Sequence, residues 1–253
     1  MIKGLYAAAS AMLAGVTRQK NLAHNAANMD TPGFKETLSS LAEFMKTAVV
    51  YPPGNITQDP QQMYLGNIGL GVENSPLTTD FSEGPLNQTG HPYDLAITGP
   101  GFFRIRTPDG ERYTRDGRFV RDASGGLVTL DGYQVLNKNG QPIKLPEGDF
   151  RVGEDGTITV GGKTAGQIGL AAFKDPQAEL EMDANNHFKA KGSPTSTTVG
   201  RVEQGYLESS NVNSAQLMTQ MISVARSYEA AQKMVQNTDQ LLGETISSLG
   251  KIA

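Results

Sequence analysis

The feature that most limits what this chain can fold into is a stripe near its C-terminal end. Leu217, Met221, Val224, Tyr228, Ala231, Val235, Thr238, Leu242, Thr245 and Leu249 follow one another in alternating steps of four and three, and only the two threonines are not apolar. A helix with such a seam buries it against another helix. The one comparable stretch runs from Gly4 to Ala27, at the opposite end. The sequence therefore predicts two terminal helices paired as a coiled-coil-like domain, with the rest of the chain held between them.

The start of the last helix is well marked. With Asn213 as the cap, Gln216 falls at N3 as a capping box requires, and Val212 faces Leu217 as a hydrophobic staple. No proline follows before Leu249. At the other end a helix is predicted over residues 3–28, with Leu5, Ala9, Met12, Val16, Ala23 and Ala26 on one stripe that only Gln19 interrupts. Its alanines favour the helix and let a neighbour approach closely. It carries Lys3, Arg18 and Lys20 and no acid. The charged start and small apolar residues have the look of a secretory signal. The helical pattern runs on through Arg18, Leu22 and Ala26, so an uncleaved helix is expected. Pro32 then forces Thr31 out of the α region, Gly33 supplies a permissive turn position, and Phe34 offers a large apolar anchor.

The middle of the chain changes character. Residues 36–71 read as a linker or extension. A short helix or strand is possible over Glu36–Met45, and a turn-rich loop over Tyr51–Gly71 follows from Pro52, Pro53, Gly54, Pro60, Gly66, Gly69 and Gly71. From residue 72 to 204 short β-branched or alternating runs are separated by turn dipeptides. Leu95–Thr98, Phe102–Arg106, Arg118–Val120, Leu127–Thr129 and Tyr133–Leu136 are strand candidates. Asp109-Gly110, Asp116-Gly117, Asp131-Gly132, Asn139-Gly140 and Asp155-Gly156 are the turn signals. The expected fold is α+β: a discontinuous helical domain of residues 1–35 with 205–253, a 36–71 extension, and an inserted all-β domain over 72–204.

Little in the chain suggests chemistry. The 22 basic and 26 acidic residues are balanced, with no basic block, so neither nucleic acid nor an anionic membrane is expected as a partner. Cysteine is absent, which excludes disulfides and thiolate chemistry. No apolar run approaches the roughly 20 residues that span a bilayer. His24, His91 and His187 stand apart, none with a second ligand at metal spacing, so no metal is expected. Gly99-Pro-Gly101 lacks the third glycine of a dinucleotide loop and runs into a phenylalanine pair. Phe102, Phe103, Tyr113 and Phe119 have the make-up of a base-stacking platform, but strand spacing and weak local charge favour core packing. No catalytic, cofactor-binding or metal residue is assigned. The chain invests in shape.

Four stretches carry a resemblance. Asn25-Ala-Ala-Asn-Met-Asp-Thr-Pro-Gly-Phe-Lys35, straight after an amphipathic helix, resembles the N-terminal signature of bacterial flagellar rod and hook proteins. Asp94–Phe103 and Tyr113–Phe119 are similar to that family's central β motifs, and Gly205–Asn213 with the heptad helix after it to its C-terminal signature. Within the family, Leu70-Gly-Val72 and Pro85–Gly90 resemble the distal rod type, with a proximal rod subunit as the alternative. A secreted β module binding glycan or peptidoglycan is the competing reading from outside the family.

The resemblance implies a structural subunit of the flagellar basal body, exported by the flagellum's own apparatus and assembled across the periplasm into a helical homopolymer. Its partners would be other rod subunits and the hook and ring proteins. Leu5, Met12, Val16, Leu217, Met221, Val224, Tyr228, Val235 and Leu242 would form the assembly interface. Asn28, Thr31, Gly33, Phe34, Asn211 and Asn213 are the family-motif positions.

Overall fold

The computed structural model describes residues 2–50, 64–183, 185–194 and 199–250. The chain is α+β and divides into two compact units, one of residues 1–24, 38–77 and 214–253, the other of residues 25–37 and 78–213.

The first unit holds the two long helices, Ile2–Ala27 and Ser214–Gly250. The second of these begins one residue after Asn213, where a cap belongs. The unit also holds a hairpin that the sequence reading missed. Leu41–Val50 pairs antiparallel with Tyr64–Asn74, in register from Leu41 opposite Asn74 to Val50 opposite Tyr64. Tyr64–Gly71 are thus strand, where a loop was expected; residues 51–63 of that expected loop lie outside the described residues.

The reason lies in what the glycines do. Gly69 and Gly71 are not in turns; they alternate with Ile68, Leu70 and Val72 at strand period. A Cβ at Gly71 would sit 2.5 Å from Ser10 Oγ. The bare backbone lets the strand lie on the N-terminal helix, where Val72 N donates to Ser10 Oγ at 3.2 Å and Asn74 Nδ2 to the Ala14 carbonyl at 3.4 Å.

The N-terminal helix also turns a different face inward from the one its bulkier residues suggested. Ala8, Ala14, Leu22 and the polar Asn21 and Asn25 are buried. Ala9, Val16 and Ala23 of the predicted stripe are exposed, while Leu5 and Met12 are half-buried. Close contact with a strand selects small side chains, which a search for apolar bulk ranks last.

Among the described residues of the second unit, the strands of the main sheet pair antiparallel, and one helical turn stands at Pro176–Glu179. Its main sheet runs Leu180–Met182, Phe188–Ala190, Gly110–Thr114, Phe102–Thr107, Gln134–Val135, Leu127–Thr129, Phe119–Arg121, with Leu170–Ala171 also on Phe102–Thr107. A three-stranded sheet (Phe150–Val152, Thr157–Val160, Lys163–Gln167) and three two-stranded ladders complete it.

All five strand candidates are strands, with ends shifted by a residue or so. Gly110, Gly132, Gly140 and Gly156 have positive φ, as their turns require. Gly117 does not. A Cβ there would lie 1.6 Å from the Leu95 carbonyl oxygen, so this glycine permits a close chain crossing. Phe102 and Phe103 point into different clusters, Phe103 edge-on to Phe119 and Phe102 to Phe188. With Tyr113 they are core, not a stacking platform.

Candidate assembly interface

The seam on the C-terminal helix is the less exposed face of that helix. Leu217 and Val224 are buried, and Met221, Tyr228, Ala231, Val235, Thr238 and Leu242 are half-buried. Thr245 is exposed, so the covered stripe runs as far as Leu242; the side chain of Leu249 lies outside the described ones. The two long helices approach at Gly15, where a Cβ would meet Tyr228 Cδ2 at 3.8 Å. A Cβ there would make ordinary van der Waals contact with the ring, so the approach does not require glycine.

A second set of apolar side chains points away from the covered stripe. Tyr6 and Leu13 are about seven-tenths exposed (70% and 71%), and Met218, Ile222, Met234, Leu241 and Ile246 are 55–69% exposed. Val16 of the predicted interface joins this outer set. Sequence reading did not single these out, although Tyr6 and Leu13 stand seven apart, two turns along one face.

The motif residues converge elsewhere, in the second unit, where the chain leaves the first helix and re-enters the last. Thr31 N donates to the Asn28 carbonyl at 3.2 Å, closing a turn after the helix. Gly33 has φ 68°, and its N–H donates to the Glu208 carbonyl at 2.7 Å. A Cβ on Gly33 would lie 2.3 Å from the Arg115 carbonyl carbon, so only glycine fits. Phe34 is buried beside it. Asn211 Oδ1 accepts from Glu36 N at 2.7 Å, and Asn211 Nδ2 donates to the Asp80 carbonyl at 2.9 Å. Asn213 is exposed, just ahead of the helix.

At the centre of this junction is a buried ionic cluster that sequence reasoning did not find. Lys35 Nζ lies 2.5 Å from Glu208 Oε1, and Arg115 Nη1 lies 3.0 Å from Glu208 Oε2. The three side chains are 1–4% exposed. Backbone groups share the load: Lys35 Nζ donates to the Ser82 carbonyl at 2.6 Å, Gly84 N to Glu208 Oε1 at 3.0 Å, and Arg115 to the carbonyls of Ile97 and Gly99 at 3.0 and 2.7 Å. Arg115 also lies over the Phe102 ring, 5.3 Å from its centroid. Burial pushes the Lys35 ammonium pKa below its ordinary value, against the opposing pull of Glu208. Asn25, fully buried, adds a further tie, with Nδ2 on the Thr37 carbonyl at 2.9 Å and Oδ1 on Thr37 N at 3.1 Å. Charges separated by 80 and 93 positions leave no short-range pattern, so no local signal marks the cluster.

The four motif stretches meet at one buried junction, and among the described residues no group of three or more His, Cys, Asp or Glu could hold a metal. Comparison with known proteins identifies the family. The family described as flagella basal body rod protein matches residues 5–35, the flagellar hook protein FlgE/F/G D1 domain residues 96–160, and the flagellar basal body rod FlgEFG protein C-terminal residues 203–249. The chain is 34% identical to the flagellar basal-body rod protein FlgF of Caulobacter vibrioides, over 96% of this chain and 99% of that protein. It is 32% identical to FlgG of Bacillus subtilis over 98% and 99%, and 34% identical to FlgG of Borreliella burgdorferi over 96% and 97%. The chain belongs to the flagellar basal-body rod protein family. It is a structural rod subunit of the basal body and not an enzyme.

Proposed function

We propose that this subunit polymerises into a helical tube whose wall is made by its two terminal helices. Residues 1–35 and 205–253 act as the assembly domain, with Leu5, Met12, Leu217, Met221, Val224, Tyr228, Val235 and Leu242 closing the helix pair. Val16 and the outer set face neighbouring copies. The 36–71 segment with its hairpin bridges subunits. Torque from the motor then reaches the hook through packed contacts, with no chemical step. The observation that carries this reading is the outer apolar set itself: Tyr6, Leu13, Ile222, Leu241 and Ile246 remain in solvent in one chain, and a non-closing contact with the next copy removes them from it.

The distal position in the rod is proposed on Leu70-Gly-Val72 and Pro85–Gly90. Relatives named FlgF and FlgG match this chain about equally. Other rod subunits, the hook and the ring proteins are its proposed neighbours, and export without a cleaved signal its proposed route into the periplasm.

Electron microscopy of the purified chain at high concentration tests the polymer: filaments or stacks are expected, and Met221→Asp abolishes them. Normal polymerisation and motility of Met221→Asp removes the seam from the argument. The position is tested by complementation. Motility should return in a strain lacking its distal rod subunit and not in one lacking a proximal subunit.

A further inference from the structure

The Lys35–Glu208–Arg115 cluster joins three segments that the sequence keeps far apart, and it sits where both helix stems meet. Lys35 belongs to the stem that follows the first helix; Glu208 belongs to the stem that precedes the last. Two backbone ties run alongside, Gly33 N to the Glu208 carbonyl and Glu36 N to Asn211 Oδ1. The ionic contact is therefore flanked by hydrogen bonds that need the same alignment of the two stems.

The charge count is unbalanced. Two cations face one carboxylate, all three almost fully buried. Arg115 has two backbone acceptors of its own and Glu208 a backbone donor in Gly84. An Arg115–Glu208 pair would be neutral without Lys35, with both terminal nitrogens of Arg115 bonded, although its Nε has no partner. The ammonium adds a second buried charge, and burial together with the neighbouring Arg115 charge lowers its pKa despite the attraction of Glu208. Buried ionic groups of this kind are weak contributors to stability and are retained in some proteins because they select one alignment.

We propose that Lys35 is a positioning residue, an alignment pin that holds the two helix stems in one register at the expense of stability. An apolar side chain in the same space would leave the alignment to the two flanking hydrogen bonds alone. Lys35 adds to them, because any shift leaves its ammonium buried without Glu208 and the Ser82 carbonyl.

The test is Lys35→Met in the full chain, with three readouts. The urea midpoint of the cooperative unfolding transition should be equal to or above that of the wild type. Hydrogen exchange at the Gly33 and Glu36 amides should accelerate by about 100-fold, as in local opening, while amides of the core strands Leu95–Thr98 and Phe102–Thr107 stay protected. The concentration needed for polymerisation should rise by about tenfold or more.

Unchanged exchange at Gly33 and Glu36 overturns the proposal. So does a fall in the urea midpoint or a failure to fold, since either makes Lys35 a stabilising residue. The polymerisation readout rests on the assembly reading above, whereas the exchange readout does not. A wild-type chain that never polymerises sinks the assembly reading and leaves the pin to be decided by exchange. Glu208→Gln supplies the contrast. It strands two buried cations, so its urea midpoint should fall well below that of Lys35→Met; equal midpoints for the two variants also overturn the proposal.

Discussion

The two units of this chain solve the burial problem in opposite ways. The β unit is complete in itself. Phe103, Phe119, Phe188, Leu95, Ile105, Leu127 and Ile158 are all below 2% exposed, in two clusters fed by strands from across its sequence. The helical unit, among its described residues, buries Ala8, Ala14, Leu22, Leu217 and Val224, and two of those five are alanine. It leaves Tyr6, Leu13, Ile222, Leu241 and Ile246 in water. A long helix gains most of its stability from packing, and this unit buries little apolar bulk among its described residues. One region closes its own core; in the assembly proposed above, neighbouring copies cover the apolar surface of the other.

That contrast can be broken by mutation. Phe103→Ala empties a fully buried site beside Phe119 and should destabilise the β unit by about 3–5 kcal/mol, measured by urea unfolding followed through tyrosine fluorescence. A loss under about 1 kcal/mol would mean the β core is far looser than its burial indicates. Leu217→Ala should cost the helical unit about 2–4 kcal/mol, read as earlier loss of helical circular dichroism, with the β transition left in place. If both transitions move together, the units are not energetically separate and the comparison fails.

Alkaline titration probes the β unit alone. Burial, with the nearby Glu111 charge, pushes the Tyr113 hydroxyl up to about 12 from its usual value near 10. The neutral phenol is favoured in the fold, so its contribution is complete below pH 10 and is lost as pH rises from 10 to about 12. The loss should approach about 2–3 kcal/mol, and Tyr113→Phe should flatten that part of the pH–stability curve. The smallest effect sharpens the contrast most. Ile246→Ser, at a site 69% exposed, should change monomer stability by less than about 0.5 kcal/mol and still impair polymerisation.

The β strands and their turns were legible because their signals are local. Period-two alternation and Asp-Gly or Asn-Gly pairs are read within a few residues, and the observed strands fall where those signals stand. The seam on the last helix was legible for the same reason, and the helix begins at Ser214, next to its cap position. The hairpin of Leu41–Asn74 was not. Its glycines at 69 and 71 have the same composition as a loop, and only side chains distant in sequence explain them, Glu43 against Gly69 and Ser10 against Gly71. The inward face of the first helix was misplaced because the strand lies against Ser10 and Ala14, while Val16 stays exposed. The ionic cluster was invisible, since Lys35, Arg115 and Glu208 share no spacing rule. Of the motif positions, Gly33, Phe34 and Asn211 proved to build the junction, while Lys35, at the end of the same motif, turned out to be its charged centre.

By itself, then, the sequence determined what short-range periodicity can encode: two long helices at the ends, a turn-punctuated β region between them, and the order of the family motifs. Tertiary structure decided which face of the first helix turns inward, that a glycine-rich stretch is a strand, and that two helix stems are pinned through one buried carboxylate. Those outcomes depend on which atoms meet across long sequence separations. Close packing and the desolvation of charge act only after that meeting, so no local pattern announces them.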